Sequence, residues 1–378
     1  MNAATQHPIA LIACDKFKGS LSAIEACKAV ARGMGSTWQI DLCPIADGGE
    51  GFTDTLVTAM SGKKIMAPTH DALGREISAE YGIVQHEKKT MAVIEMAAAS
   101  GMWRIDPFER DVMNSSTYGT GELMLHAIQE HGVDQIIIGL GGSATNDGGI
   151  GMAAALGVRF LDAAGNLLKA TPAGLLQLAQ VDFSQRISLP TILAACDVDN
   201  PLCGDRGASA IYGPQKGASP EQILILDHFL QQLAELSDAH QHASHPGSGA
   251  AGGLGFGLMA FGGAKLLSGF AMVADVCSLA HRVASAHLVI TGEGSLDEQS
   301  LSGKGPVGIA RIAQEHGVPC VAIAGVCSEK LRESSIFIDA MDLISLGLPL
   351  ETTMLQAEKL LERLVRAAEP GWRLRARN

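Results

Sequence analysis

Aromatic residues are scarce in this sequence, 4% of 378 positions, and no run of lysines and arginines appears anywhere. Proteins that bind nucleic acids commonly present a basic face or stacking rings. With a formal net charge of −12, no nucleic-acid partner is expected, and an anionic ligand would need a local positive site against an acidic background. The eight cysteines form no C-x-x-C pair. Cys14, Cys196 and Cys320 sit in apolar runs and read as small buried hydrophobes in a reducing compartment. Cys196 and Cys203 lack the clustered histidines of a zinc site, and His240, His242 and His245 fall in a polar loop that is not read as a metal centre. No apolar stretch reaches the ~20 residues of a membrane span. The nearest, 249–264, is shorter and full of glycine, and reads as a glycine-rich loop leading into a tightly packed helix. The N-terminus has no basic segment and enters a strand at once, unlike a signal peptide. A cytoplasmic protein with no membrane partner is expected.

What the sequence does have is glycine, 44 residues, well above the typical ~7%. Glycine serves tight turns and also places where backbone must approach a ligand. At roughly 150 residues per domain, the length suits two or three domains. The chain begins with a β-loop-α pattern. Residues 8–13 are continuously apolar, as in a parallel strand covered on both faces, and Ser22 with Glu25 forms a capping box for a helix reaching about Gly33. A strand at 38–43, a loop and a helix at 52–60 follow. The same rhythm returns late, with strands at 287–290, 318–324 and 342–346 and helices at 306–317 and 351–368. In between, 91–95, 135–140 and 192–195 read as strands, and 120–130 as a helix with Gly132 just past its end. The expected fold is α/β. A flavodoxin- or Rossmann-like parallel-sheet domain made from both chain ends (1–66 and 284–378), with a second α/β domain (67–283) inserted in it, is the expected arrangement, and a continuous two-domain split is the alternative.

In such sheets ligands bind beyond the carboxyl ends of the strands, where several loops carry polar residues. Asp15-Lys16-Phe17-Lys18-Gly19-Ser20 pairs two lysines and a serine with a helix start, a candidate site for a carboxylate or phosphate; the alternative is a solvated loop. In Asp47-Gly48-Gly49-Glu50-Gly51, the two acids suit sugar-acid hydroxyls or a metal-bound water, or simply a tight turn. Glu293 and Asp297 lie in 291–297, and Lys304 precedes a helix where it could meet a phosphate, although the spacing is not that of a Walker A loop. The strand 135–140 runs into a glycine-rich loop, 139–149. Its Gly141 and Gly142 backbone can cradle phosphate, Ser143, Thr145 and Asn146 add polar groups, and Asp147 could hold Mg²⁺ or orient a hydroxyl. The same stretch has the outline of a dinucleotide fingerprint, Gly139-x-Gly141-x-x-Ala144 with Asp162 some twenty residues on, but Thr145-Asn146-Asp147 interrupts it where a helix should start. Asp197, Asp199 and Asn200 follow a strand and offer oxygen ligands for Mg²⁺, or an Asx turn closed by Pro201. Gln215 and Lys216 sit on a proline turn, 213–218.

Taken in order along the chain, these segments, with Gly249-Ala250-Ala251-Gly252-Gly253-Leu254-Gly255, resemble the bacterial glycerate kinases that make 2-phosphoglycerate. The resemblance implies ATP, Mg²⁺ and D-glycerate, and a substrate lying in the cleft between two domains. It implies that Lys18, with Lys16 as a second candidate, neutralises the glycerate carboxylate. Asp15, Ser20, Asp47, Glu50, Glu293 and Asp297 would complete the substrate site. The 141–147 loop would hold ATP phosphates together with Asn200, Gln215, Lys216 and Lys304, with Mg²⁺ on Asp197 or Asp147 and either Asp47 or Asp197 as base. Lys16 departs from the small polar residue common at that position. A homo-oligomer is compatible with all of this. Two other readings are an NAD(P)-dependent oxidoreductase acting on a hydroxy acid and a ligand-binding protein without turnover.

Overall fold

The computed structural model describes residues 7–46, 48–86, 88–297 and 305–375. Two of the expected site residues, Asp47 and Lys304, lie outside the described residues. Thirteen strands occur among them: β1 (Ile9–Cys14), β2 (Gln39–Leu42), β3 (Lys63–His70), β4 (Glu76–His86), β5 (Lys89–Glu95), β6 (Gln135–Gly139), β7 (Arg159–Leu161), β8 (Gln180–Asp182), β9 (Thr191–Ala195), β10 (Lys265–Leu267), β11 (Leu288–Leu296), β12 (Cys320–Cys327) and β13 (Asp339–Asp342). None of the described helices is long and apolar enough to cross a membrane.

The chain divides into two compact units, residues 1–47 with 270–378, and residues 48–269. These limits differ from the 66/67 and 283/284 read from the sequence rhythm, and packing explains why. The helix Phe52–Ala59 packs on β4 and β5, and the Thr53 N–H donates to Glu95 Oε1 at the end of β5 (2.8 Å). The helix Leu279–Ser285 is tied the other way, with Arg282 Nε donating to Asp41 Oδ2 (3.0 Å) and Nη2 to the Leu42 carbonyl (2.7 Å) at the end of β2.

The first unit is a parallel five-stranded sheet in the order β13-β12-β11-β1-β2. Renumbered within the unit this is the 2-1-3-4-5 order of flavodoxin-like sheets. β1 is an apolar run because both its faces are covered. Ala10, Ile12 and Cys14 meet the helices Ala23–Met34 and Ala357–Arg375, while Leu11 and Ala13 face away from them and are equally buried. The capping box exists as read, with Ser22 N–H donating to Glu25 Oε2 (2.9 Å) and Glu25 N–H to Ser22 Oγ. Two differences concern strand ends. β13 ends where the sequence suggested it would begin, because the Asp342 carboxylate accepts from the Ser345 and Cys327 N–H groups and bends 344–346 into a 3₁₀ turn. β11 runs on through Leu296 instead of stopping at 290, because β12 also continues and pairs Glu293 with Ala324 and Ser295 with Val326.

The second unit holds a six-stranded sheet in the order β10-β9-β6-β5-β4-β3. β5, β6, β9 and β10 are parallel, and β3 and β4 form an antiparallel hairpin on the edge. The helix Tyr118–His131 covers one face through Leu123, Met124 and Ala127. A second cluster gathers the helices Ile150–Ala155, Pro220–Leu236 and Ala250–Gly262 around Phe229, Leu230 and Phe256. The dinucleotide reading fails here. After β6 and the helix Ile150–Ala155 the chain enters β7, which pairs with β8 in a separate two-stranded sheet rather than beside β6. Asp162 closes its own turn, accepting from Ala164 N–H (2.9 Å) and Asn166 N–H (2.8 Å).

Gly33, inside the helix Ala23–Met34, marks the tightest approach of the two chain ends. A Cβ there would lie 2.6 Å from Val365 Cβ and 2.8 Å from the Glu362 carbonyl oxygen. Helix propensity favours alanine over glycine by about 1 kcal/mol, but overpacking costs about 1–3 kcal/mol, and a carbonyl on a packed helix cannot rotate away. Gly33→Ala is expected to lower the urea midpoint; a raised midpoint would show that the two helices are looser than described.

Candidate active site

In the first unit, strand order reverses between β1 and β11, and the loops beyond their carboxyl ends come together there. Asp15 N–H donates to the Gly292 carbonyl (2.8 Å) and Gly294 N–H to that of Lys16 (3.3 Å). Residues 17–21 form a closed turn in which Phe17 N–H donates to Leu21 O (2.8 Å) and Leu21 N–H to Phe17 O (3.0 Å). Phe17 is buried and anchors the turn, so Lys18 is exposed at its tip. Gly19 beside it has φ +76°, a conformation that suits glycine. The Ser20 hydroxyl donates back to Phe17 O (2.9 Å), which leaves its oxygen lone pairs available to a ligand donor. Asp15 is buried and accepts from the Lys16 N–H (2.6 Å), with the Lys16 ammonium 3.8 Å away. A small, largely apolar cavity of about 110 Å³ opens beside Lys18 and Ser20, walled by Val326, Leu343, Ile344 and Leu350. Glu293 lies half-buried on β11 rather than in a loop, and Asp297 is half-buried just beyond it.

In the second unit, the carboxyl ends of β5, β6 and β9 carry Glu95, the 140–149 loop and Asp197. The loop rests on backbone. Met102 N–H donates to Gly142 O (2.9 Å), Ala144 N–H to Ser100 O (2.9 Å), and Gly148 N–H to Gly252 O (3.0 Å). A Cβ on Gly141 would fall 2.5 Å from Gly49 Cα, so the two glycine-rich segments stack with no room for a side chain. Glu50 is exposed nearby in sequence. Ala251, Gly252 and Gly253 are left-handed, which confirms a glycine-rich lead-in to the helix that follows. The histidine segment is partly helical, His240–Ala243, instead of a loop, and no group of three or more metal-ligating side chains occurs among the described residues.

The polar side chains of this loop point inward, which the sequence did not reveal. Thr145, Asn146 and Asp147 are fully buried and Ser143 nearly so. Asp147 Oδ2 accepts from Thr117 N–H (2.8 Å), Thr117 Oγ1 (2.8 Å) and Gly151 N–H (3.2 Å), and Oδ1 accepts from Gly149 N–H (3.1 Å). A carboxylate so surrounded by donors holds the loop in shape; it does not fit Mg²⁺. Burial pushes its pKa up while the four donors pull it down. Lys216, on the proline turn, is 2% exposed. Its Nζ donates to Ser143 Oγ (2.7 Å) and to Thr145 O (2.6 Å) beneath the loop. Burial lowers its pKa to about 7, against the opposing attraction of Asp147. Asn146 Nδ2 donates to Ser209 Oγ (2.8 Å), while Asn146 Oδ1 and Thr145 Oγ1 have no hydrogen-bond partner among the described residues.

Asn200 is also engaged internally, donating to Arg206 O (2.8 Å) and accepting from Tyr212 Oη (2.6 Å), so its amide is taken up by its own loop. Asp199 pairs with Arg206 at the surface (3.2 Å). Gln215 is exposed, and its carbonyl accepts from Arg110 Nη1 (2.9 Å). Asp197 is half-buried at the end of β9, with Oδ1 accepting from Ser268 Oγ (3.0 Å) and Gly269 N–H (3.2 Å). It fits a Mg²⁺ held by one carboxylate and substrate phosphates, the usual arrangement for that ion. Three residues escaped the sequence reading: Thr117, Ser209 and Glu95. Thr117 alone had a signal, since Ser115-Ser116-Thr117 precedes a helix as start residues do.

The sequence profile of the glycerate kinase family matches residues 10–370. The chain belongs to the glycerate kinase family. It is 42% identical over 369 residues to a glycerate kinase of Halalkalibacterium halodurans, covering 94% of this chain and 96% of that protein. It is 44% identical over 324 residues to the glycerate 2-kinase of Escherichia coli K12, covering 83% and 84%. A crystal structure from Salmonella typhimurium LT2, provisionally assigned there as glycerate kinase 2, superposes with a TM-score of 0.82 at 39% identity, covering 97% of this chain and all of that one. This membership gives no support to the oxidoreductase and the non-catalytic readings.

The buried lysine gives a stability signature. An unfolded lysine keeps its proton to about pH 10.4, whereas Lys216 in the folded chain releases it near 7. Between those values the unfolded chain binds more protons, so this residue makes stability rise with pH, and its burial cost is fully present below about pH 7. The Tm gap between wild type and Lys216→Met is expected to shift in favour of wild type as pH is raised through that window. A gap that stays constant would mean the ammonium is not desolvated.

Proposed function

We propose that this chain transfers the γ-phosphoryl group of ATP to the 2-hydroxyl of D-glycerate, acting in the cytoplasm. The family and the relative named glycerate 2-kinase support the reaction, and eight free thiols fit a reducing compartment. The observation that carries the reading is the turn at the reversal point of the first sheet, where Lys18 stands exposed beside a cavity of about 110 Å³. That volume is well below the ~300 Å³ at which pockets begin to suit drug-sized ligands, so it admits only a small ligand, and since its wall is largely apolar the charge recognition falls to Lys18.

In this reading Lys18 neutralises the glycerate carboxylate, with Lys16 behind it, and Ser20 and Glu293 take hydroxyl hydrogen bonds. Asp15 holds the turn through the Lys16 N–H. In the second unit the N–H groups of Gly141, Gly142 and Ser143 receive the polyphosphate, since those of Ala144, Gly148 and Gly149 are bonded within the unit, and Lys216 supplies positive charge from beneath. An approaching phosphate raises the Lys216 pKa and so restores its proton. Phosphoryl transfer depends mainly on positioning and charge neutralisation. Mg²⁺, held on Asp197 and phosphate oxygens, would contribute neutralisation of the β- and γ-phosphate charge. The substrate hydroxyl oxygen bonds to the γ-phosphorus as the bond to the bridging oxygen breaks. ADP leaves, and a carboxylate base takes the hydroxyl proton.

The test is the purified protein with Mg-ATP and D-glycerate, coupled to enolase and pyruvate kinase without phosphoglycerate mutase. Phosphoenolpyruvate formation is expected. A requirement for added mutase would place the phosphate on the 3-hydroxyl, and absence of ADP would overturn the kinase reading for this substrate. Lys18→Ala removes a charge-assisted contact and should raise the KM for glycerate about ten- to a hundredfold with the KM for ATP unchanged. Unchanged glycerate kinetics would exclude the role given to Lys18.

A further inference from the structure

A much larger cavity, about 560 Å³, opens in the second unit beside the end of β3. It lies within the ~300–1,000 Å³ range of small-molecule sites, and a three-carbon acid would fill little of it. We propose that this cavity seats the adenine ring and ribose of ATP, an inference that rests on the kinase reading above and locates the nucleotide within it.

Three observations carry the assignment. The first is position. β3 runs antiparallel to β4 and β4 antiparallel to β5, so β3 ends at the same sheet edge as β5 and β6, where the glycine-rich loop begins. One short segment, 110–117, joins the cavity to that loop. Arg110 holds the Gln215 carbonyl beside Lys216, Asn114 and Ser116 line the cavity, and Thr117 bonds Asp147 through both its N–H and its hydroxyl. Across the loop's other end, the helix Ile150–Ala155 starts next to Gly149 and brings Ala154 to the cavity wall. Five residues of helix separate Gly149 from Ala154, about 8 Å, a distance that the phosphate chain of a nucleotide seated in the cavity would have to bridge.

The second is the chemistry of the lining. Tyr118, Phe160, Leu167 and Leu168 make it mostly apolar. Tyr118 is fixed edge-on to His70 at 6.2 Å, and His70 is in turn held by Glu122 at 2.9 Å, so a flat ring would meet a preset aromatic wall. Leu167 is 66% exposed, a large apolar group at the rim that a bound base would cover. The third is charge. On a chain of net charge −12, the lining contains two bases, Arg159 and Lys169, and one acid, Asp71; Arg159 is paired with Asp182 (3.4 Å) and Asp71 with Arg75 (2.5 Å), which leaves Lys169 as the lining cation outside those pairs. An anionic ligand with an apolar ring satisfies all three observations.

The test is photolabelling of the full chain with 8-azidoadenosine triphosphate and Mg²⁺, with labelled peptides mapped by mass spectrometry. Labelling within 114–118, 154–160 or 167–171 that excess ATP suppresses is expected. ATP-protected labelling elsewhere would overturn the proposal, as would labelling that ATP does not reduce. In steady-state kinetics Ala154→Phe fills the cavity and should raise the KM for ATP at least tenfold while sparing the KM for D-glycerate. Leu167→Glu, at an exposed position where folding is tolerant, should do the same by repelling the nucleotide. An unchanged KM for ATP in both would overturn the site. Protected labelling in a protein that forms no ADP with D-glycerate would uphold the cavity and sink the reaction; turnover with protected labelling elsewhere would do the reverse.

Discussion

Two opposite charges are buried beneath one loop, and the arrangement of the second unit follows from satisfying them. An isolated buried carboxylate or ammonium is costly unless hydrogen bonds replace water. Asp147 meets this with four donors drawn from Thr117, Gly149 and Gly151. Lys216 meets it with Ser143 Oγ and Thr145 O. Asp147 ties the 143–151 stretch to Thr117, and Lys216 ties the same stretch to the 213–217 turn, so the two charges together fix how these segments run. They also attract one another, since Asp147 opposes the downward shift that burial imposes on Lys216. Lys216 is thus held under the loop with its pKa lowered to about 7, so its positive charge can be drawn out by a nearby anion.

That loop can be buried only because glycine backbones pack against it. Gly252, with φ +69°, lies directly under the Thr145 carbonyl and would clash with any side chain, and a Cβ on Gly253 would approach Gly148 Cα to 2.9 Å. Backbone packed this closely must pair its own polar groups, as the Gly148 N–H does with Gly252 O. Two buried acceptors are left over, Thr145 Oγ1 and Asn146 Oδ1. Orphaned groups in a native core call for an explanation, and in a kinase a loop that undergoes local rearrangement or ligand contact provides one.

The sequence disclosed backbone better than side-chain direction. The apolar run of β1, the Ser22–Glu25 capping box and Gly132 at φ +55° each follow from a local rule, and local rules are legible in one dimension. The edge hairpin β3–β4 was not read, because its half-exposed pattern resembles a polar connection. By rhythm alone the helix Phe52–Ala59 goes with the first unit; its contacts with β4 and β5 group it with the second, and no periodicity contains them. In the 139–149 loop the residue types were noticed but their direction was not. Ser143, Thr145, Asn146 and Asp147 look like ligand groups in any glycine-rich loop, and only the packing of 249–253 turns them inward. Asp47 and Lys304 lie outside the described residues.

The two cavities divide the labour that a kinase of small acids has to solve. A three-carbon acid offers almost no surface, so its recognition must come from charge and a tight volume, and on the proposed reading Lys18 beside about 110 Å³ would supply both. A nucleotide offers a large flat ring, so a roomy, mostly apolar cavity of about 560 Å³ can bind it by area. Binding energy from such a remote, unreactive part of a substrate can be used to hold the reacting phosphate in place. In this chain that coupling has a physical route. Asn114 and Ser116 line the large cavity and Thr117 beside them grips Asp147, so whatever orders that part of the cavity wall also orders the loop.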